Sequence, residues 1–163
     1  MTPLPWSEHW HAWRLDRKEF TGTWDHGIGA NKFGGRWNSP GHSVLYASAD
    51  PATAILEVAV HTGFDALDTA GYVLTCFEVL DRNDIKVVQP EDIPNGNWLI
   101  AGSVSPNQQK FGDKLSSKHP FILVPSSVSQ YSWNLLVNCE LARNKYVLVN
   151  QQKFSLDTRL LSP

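Results

Sequence analysis

Glu57 is the residue of this chain that most directly suggests chemistry, because it interrupts an aliphatic segment, ILEVAV at residues 55–60. A carboxylate buried there would lose much of its hydration, so a chain tolerates it only with partners or a purpose. The structural alternative is an ion pair with His61, one helical turn further on. Because such pairs are common, Glu57 indicates a functional site only together with other residues.

Three further side chains are candidates for the same site. Arg36 lies in GGRWN, where two glycines permit a ligand to approach closely and a guanidinium can bind phosphate or carboxylate in a forked contact. Stacking of Arg36 on Trp37 at the surface is an equally good alternative. Tyr46 offers an aromatic face, although a core tyrosine is the commoner case. Ser126 either points its hydroxyl into a cleft or caps a turn.

Several common chemistries have no counterpart in this sequence. There is no GxSxG motif, no P-loop and no GxGxxG after a strand. His9 and His11 form an HxH pair without further ligands at metal spacing, and we expect them on a surface helix or arm. Cys76 and Cys139 lie far apart and are expected to be small buried apolar groups. We therefore expect neither a metal site nor a disulfide framework.

Composition indicates one globular domain over residues 1–163, since 42% of the residues are hydrophobic and 18% are charged. A formal net charge of -2 argues against the broad basic field of proteins that bind nucleic acids or anionic membranes directly. The sequence has no apolar stretch of about 18 residues, and its first residues do not follow the order of a signal peptide. We therefore expect a cytoplasmic protein.

The elements that must position these residues begin with residues 20–41, whose six glycines predict one long functional loop. A strand is predicted over residues 42–48. Asp50 and Pro51 then predict a helix that runs to about His61. This helix is expected to be buried on nearly every face.

The remainder of the chain predicts strands over residues 71–79 and 85–88 and a polar helix from Ser105 to about Leu115. A strand over residues 120–128 is interrupted by Pro125, and the segments KYVLV and KFSLD predict a last hairpin. Strands outnumber helices without alternating regularly with them. The sequence therefore predicts a mixed α+β domain with mostly antiparallel sheets and few helices.

The run GGRWNSPGHSVLYASADPATAILEVAVH, followed at a distance by VPSSV and NLLVN, resembles the RES-domain family. The family is named for an arginine, a glutamate and a serine, and the matching residues are Arg36, Glu57 and Ser126. Tyr46 matches the usual aromatic companion. Family members often have Asn-Pro-x-His where this chain reads NCEL, so the histidine is replaced by Leu141.

The resemblance implies a fold similar to ADP-ribosyltransferases and a toxin of a bacterial toxin–antitoxin pair. It further implies that NAD⁺ is consumed as a substrate, by hydrolysis or phosphorolysis, and that no other cofactor is needed. The implied partner is an Xre-like helix-turn-helix antitoxin that covers the active site, and a homodimer is possible by the same analogy. Two alternatives are transfer of ADP-ribose to a protein and a non-catalytic module that binds a partner.

Each candidate residue then has an expected role in breaking the nicotinamide–ribose bond. Glu57 would stabilise the positive charge that develops on the ribose, and Arg36 would bind the pyrophosphate. Tyr46 is the first candidate for stacking on nicotinamide, with Trp37 or Trp24 as the second. Ser126 would donate a hydrogen bond to the nicotinamide amide or to phosphate oxygens.

Overall fold

Seven strands form the centre of the structure, a computed structural model that describes residues 4–102 and 104–161. The strands are β1 (Trp10–Arg17), β2 (Val44–Ser48), β3 (Tyr72–Val79), β4 (Ile85–Val87), β5 (Phe121–Pro125), β6 (Trp133–Asn138) and β7 (Tyr146–Lys153). Their order in the sheet is β4-β5-β6-β2-β1-β3-β7. Within the described ranges, β4 and β5 are the only parallel neighbours, and the other neighbours are antiparallel. The predicted α+β fold with a mostly antiparallel sheet is therefore confirmed.

The helices begin where the sequence offers capping residues. They are α1 (Ile28–Phe33), α2 (Pro51–Thr62), α3 (Phe64–Thr69) and α4 (Pro106–Ser116). The Asp50 carboxylate accepts a hydrogen bond from the backbone N–H of Thr53, and the Ser105 hydroxyl accepts one from that of Gln108. These contacts satisfy N–H groups that the first turn leaves free. The two helices predicted from Asp50 and Ser105 are thereby confirmed.

The two faces of the sheet are packed differently. The back face carries one continuous core that includes Ala12, Phe77 and Leu135. The front face carries two separate clusters. The loop-side cluster includes Trp37, Ile122 and Leu136. The helix-side cluster includes Leu15, Ala59, Leu67 and Tyr72. Because the two front clusters do not merge, a cleft remains between them.

The cleft coincides with a split in the sheet. Among the described residues, β1 pairs with β2 only through Trp13 and Ser48, whereas it pairs with β3 along its whole length. The guanidinium of Arg14 donates from Nη1 to the carbonyl oxygen of Tyr46 at 2.7 Å, which satisfies a β2 backbone group that β1 does not reach. Asp16 holds that guanidinium with two further hydrogen bonds.

The prediction of one long loop over residues 20–41 is wrong. That segment contains most of a 3₁₀ helix, Lys18–Thr23, and all of α1. Trp24 is buried in the back core, where its ring packs against Phe77 and Tyr146 at centroid distances of 5.2 and 5.8 Å. The packing of this aromatic residue orders the segment despite its glycines.

Two further predictions are wrong because they were made from local patterns. The C-terminal segments do not form a hairpin: β7 is one strand that pairs with β3, and the chain then continues to Phe154 and Leu156, which pack on the helix-side cluster. His11 lies in β1 rather than on a surface helix or arm. In both cases the strand partner is distant in sequence and leaves no local signal.

Helix α2 is also less buried than its composition predicted. Leu56 and Val60 are 37% and 56% exposed, while the opposite side of the helix packs on β1 and β2.

The predicted domain range 1–163 includes residues 1–3, 103, 162 and 163, which lie outside the described residues. Within the described part of the chain, each helix is too short or too polar to cross a membrane.

Candidate active site

The cleft on the front face has a volume of about 970 Å³, near the upper end of the range of about 300–1,000 Å³ that is usual for small-molecule sites. Its floor includes Trp13, Ser48 and Asn134, which lie opposite one another on three neighbouring strands. Helix α2 contributes Glu57 and His61 to the wall, and Arg36 and Tyr46 line it as well. The fold thus brings three of the four candidate catalytic residues to one cleft.

Glu57 is held in place by two neutral hydrogen-bond donors. Its Oε1 accepts from the hydroxyl of Ser126 at 2.9 Å and from the amide of Asn134 at 2.5 Å. Asn134 is itself oriented, because its Oδ1 accepts from the hydroxyl of Ser48 at 2.8 Å. Among the described residues, Glu57 forms no ion pair, so the alternative of a salt bridge with His61 is not realised.

This arrangement makes Glu57 a fixed negative charge in the cleft wall. Both hydrogen bonds end on Oε1, and Oε2 has no hydrogen-bond partner among the described residues. The half-buried carboxylate is thus oriented without being neutralised by a cation. It can accept a hydrogen bond from a ligand hydroxyl and stabilise positive charge on that ligand.

Ser126 supports Glu57 from the end of β5. Its side chain is buried, and its Oγ accepts hydrogen bonds from the backbone N–H groups of Val128 and Ser129 at 3.2 and 3.0 Å. The hydroxyl therefore caps a turn and also donates to Glu57. Since a hydroxyl has one proton, Ser126 positions the carboxylate in this structure rather than offering a donor to the cleft.

Tyr46 anchors the glycine loop with its hydroxyl. The hydroxyl donates to Oδ1 of Asn38 at 2.6 Å and accepts from the backbone N–H of Trp37 at 3.1 Å. Burial raises the pKa of Tyr46 above its ordinary value, so the phenol remains a neutral donor. A Cβ atom on Gly35 would lie 2.5 Å from this hydroxyl. The first part of the GGRWN motif is thus required for the close approach of Tyr46.

Arg36 is presented by that anchored loop. The guanidinium is half-buried and donates from Nη1 to the carbonyl oxygen of Trp98 at 2.6 Å. This contact leaves other N–H groups for an anionic ligand. Trp37 is only 3% exposed and belongs to the loop-side cluster, so the alternative of Arg36 stacked on a surface Trp37 is not realised.

The aromatic candidates are placed differently from one another. Tyr46 and Trp37 contribute to the cleft lining, Trp37 from a largely buried position. Trp24 belongs to the back core. Trp13, which no sequence motif marks, is half-buried in the cleft floor. Asn134 is the first residue of the segment NLLVN, and its neighbours in sequence do not indicate a contact with Glu57.

The NCEL segment lies away from the cleft. Asn138 caps the turn there: its Oδ1 accepts from the backbone N–H groups of Glu140 and Leu141 at 3.0 Å each, and its amide donates to the carbonyl oxygen of Ser116. Leu141 is 41% exposed.

No three His, Cys, Asp or Glu side chains among the described residues are arranged to hold a metal ion.

Tyr46→Phe should destabilise the protein by about 1–3 kcal/mol, because the backbone N–H of Trp37 and the Oδ1 of Asn38 lose a buried partner. The midpoint of urea unfolding measures this loss. Tyr131→Phe is the matched control, since Tyr131 is 79% exposed. Equal midpoints for the two variants would contradict the anchoring role of the Tyr46 hydroxyl.

Comparison with known proteins identifies the family of this chain. The RES domain matches residues 11–157, and the chain belongs to the RES-domain family. It is 33% identical to "Toxin Res" of Yersinia enterocolitica over 123 residues, which are 75% of this chain and 78% of the relative. It is 27% identical to "Toxin Res" of Photorhabdus laumondii over 153 residues, covering 91% and 96% of the two chains.

Two other similarities concern activity and fold. The "Prs ADP-ribosylating toxin" of a Sphingobium strain is 36% identical over 118 residues, covering 69% of this chain and 70% of the relative. Among solved structures, the Mycobacterium tuberculosis MbcT–MbcA toxin–antitoxin complex matches with a TM-score of 0.72 and 20% identity. That match covers 90% of this chain and 85% of the other, and it supports the same fold.

Proposed function

We propose that this chain is a cytoplasmic toxin of a bacterial toxin–antitoxin pair, and that it degrades NAD⁺ by cleaving the nicotinamide–ribose N-glycosidic bond. The observation that carries the proposal is the oriented carboxylate of Glu57, which shares one cleft with the guanidinium of Arg36 and the ring of Tyr46. Two relatives named "Toxin Res" support the toxin role.

The chemistry of the nicotinamide–ribose bond supports a role for these residues. When the bond breaks, its electron pair goes to the ring nitrogen, so nicotinamide leaves as a neutral molecule and needs no proton from an acid. The ribose gains positive charge in an oxocarbenium-like state, which the nearby Glu57 carboxylate stabilises. Arg36 binds the pyrophosphate. The anomeric carbon is then attacked by water, which loses a proton to the solvent, or by phosphate. NAD⁺ is the substrate in this scheme, not a resident cofactor.

Incubation of the purified chain with NAD⁺ tests the proposal, with nicotinamide followed by chromatography. We expect release of nicotinamide at a rate proportional to enzyme concentration. Dependence on added phosphate would distinguish phosphorolysis from hydrolysis. A fresh preparation that releases none, beside an active relative as control, would contradict the proposal.

A second candidate is transfer of ADP-ribose to a protein, and it is favoured by the relative named "Prs ADP-ribosylating toxin". The same bond breaks in both reactions, so Glu57 and Arg36 keep their proposed roles. NAD⁺ labelled in the adenosine would leave label on a macromolecule if transfer occurs and on small products if it does not.

The proposed partner is an Xre-like helix-turn-helix antitoxin that covers the cleft. The solved structure with the same fold is a toxin–antitoxin complex, which supports an antitoxin partner. A non-catalytic module would behave differently, because Arg36→Ala and Glu57→Ala would leave its toxicity in cells unchanged. Persistent toxicity of both variants would therefore exclude the enzymatic proposal.

Asn134→Ala should lower kcat about tenfold to a hundredfold without unfolding the protein, because Glu57 loses a charge-assisted hydrogen bond that orients it. The rate of nicotinamide release and the circular dichroism spectrum measure the two properties. Asn150→Ala is a suitable control, since Asn150 is exposed on the edge strand β7. A rate equal to that of the control would show that Asn134 does not position the carboxylate.

A further inference from the structure

Trp13 is an aromatic residue of the cleft that neither the motif nor the family name includes. Its side chain is half-buried and lines the cleft. Trp13 and Leu15 are two positions apart in β1, so their side chains project from the same face of the strand. Leu15 packs under α2 in the helix-side cluster, which identifies that face as the front. The indole therefore lies on the same side of the sheet as Glu57.

The register of the strands relates Trp13 to the carboxylate. Trp13 lies opposite Ser48, and Ser48 lies opposite Asn134, whose amide holds Glu57. Two strand spacings separate Trp13 from Asn134, which is about 10 Å. A ligand whose ribose contacts Glu57 therefore has an attached ring within reach of the indole.

The position of Arg36 indicates which end of the dinucleotide points to Trp13. Arg36 belongs to the loop that is anchored to Tyr46 and to Trp98, on the loop-side half of the cleft. Trp13 lies on the other half, across the split between β1 and β2. With the ribose at Glu57 and the pyrophosphate at Arg36, the nicotinamide is directed towards β1.

We infer that Trp13, rather than Tyr46 or Trp37, binds the nicotinamide ring of NAD⁺ by stacking its indole on it. This inference rests on the function proposed above. The nicotinamide ring of NAD⁺ carries a positive charge, and indole is the side chain that binds a cation most strongly through its π face. The charge disappears when the glycosidic bond breaks, so the contact favours the substrate over the released nicotinamide.

This role predicts a specific kinetic signature. Because the ring loses its charge as the transition state is approached, the indole stabilises the bound substrate at least as much as the transition state. Trp13→Leu should therefore raise KM for NAD⁺ about tenfold and leave kcat equal or higher. Trp13→Phe, which keeps a weaker aromatic face, should fall between Trp13→Leu and the unmodified chain.

Calorimetric titrations of the Glu57→Gln protein, with and without Trp13→Leu, test the contact apart from turnover. NAD⁺, NADH and ADP-ribose serve as ligands, since NADH has an uncharged nicotinamide and ADP-ribose has none. We expect Trp13→Leu to weaken NAD⁺ binding about tenfold, to remove the preference for NAD⁺ over NADH, and to leave ADP-ribose binding within twofold. Trp6→Phe is the control, because Trp6 packs on the back core.

The outcomes separate this inference from the proposed function. Unchanged KM and NAD⁺ affinity in Trp13→Leu, in a chain that does cleave NAD⁺, would overturn the stacking alone. Equal weakening of NAD⁺ and ADP-ribose would also overturn it, because the indole would then contact the adenosine half. A chain that neither binds nor cleaves NAD⁺ would overturn the proposed function and the inference with it.

Discussion

Glu57→Gln is expected to lower the rate of NAD⁺ cleavage about 10³-fold, because the amide cannot stabilise the positive charge that develops on the ribose. The fold should be retained. Glutamine has the shape of glutamate, and its Oε1 can still accept hydrogen bonds from Ser126 and Asn134 as the carboxylate does. Nicotinamide release and the unfolding midpoint measure the two effects separately.

Glu91→Gln is the matched control for this variant, since Glu91 is exposed and lies outside the cleft lining. The control should cleave NAD⁺ at the rate of the unmodified chain. Comparable rates for Glu57→Gln and the control would remove Glu57 from the mechanism. A loss of activity together with a large fall in the unfolding midpoint would instead assign Glu57 a structural role.

The parts of the fold that could be predicted are those specified within a few residues. Asp50 followed by Pro51, and Ser105 followed by Pro106, satisfy the first N–H groups of their helices with their own side chains. The content of β-branched and aromatic residues predicts strand β3. Each of these signals depends on neighbours in sequence, so no knowledge of the tertiary structure was needed.

The parts that could not be predicted depend on pairing between distant segments. Strand β7 lies beside β3, more than sixty positions earlier in the chain, whereas the local pattern predicts a hairpin of the last residues with each other. The split between β1 and β2 has no local signal either. There, among the described residues, the two strands pair only at Trp13 and Ser48, and the guanidinium of Arg14 donates to the Tyr46 carbonyl oxygen.

The candidate site shows the same division. Glu57 stood out because a charged residue inside an aliphatic segment needs an explanation, and Arg36 because glycines precede it. Asn134 and Ser48 are ordinary polar residues in sequence, and they acquire a role only because the register places them side by side beneath Glu57. The exposure of Leu56 and Val60 also follows from tertiary packing, because only one side of α2 packs on the sheet.

Gly112→Ala is expected to be the most destabilising small substitution in the front face, by about 3 kcal/mol. Gly112 lies in α4, and a Cβ atom there would be 1.8 Å from the carbonyl oxygen of Trp37. Because the obstacle is backbone, either α4 or the loop that carries Arg36 must move. We therefore expect a lower midpoint of urea unfolding and, in the folded fraction, a raised KM for NAD⁺.

Gly29→Ala makes the same chemical change where the structure has room. Gly29 lies in α1, and an added Cβ would meet nothing within 4 Å. Alanine is favoured over glycine inside a helix by about 0.5–1 kcal/mol, so this variant should unfold at the same or a higher urea concentration. The opposite signs of the two substitutions test whether α4 rests directly on the backbone of Trp37. If the two variants have the same urea midpoint of unfolding, α4 does not contact the backbone of Trp37 and does not support the loop that carries Arg36.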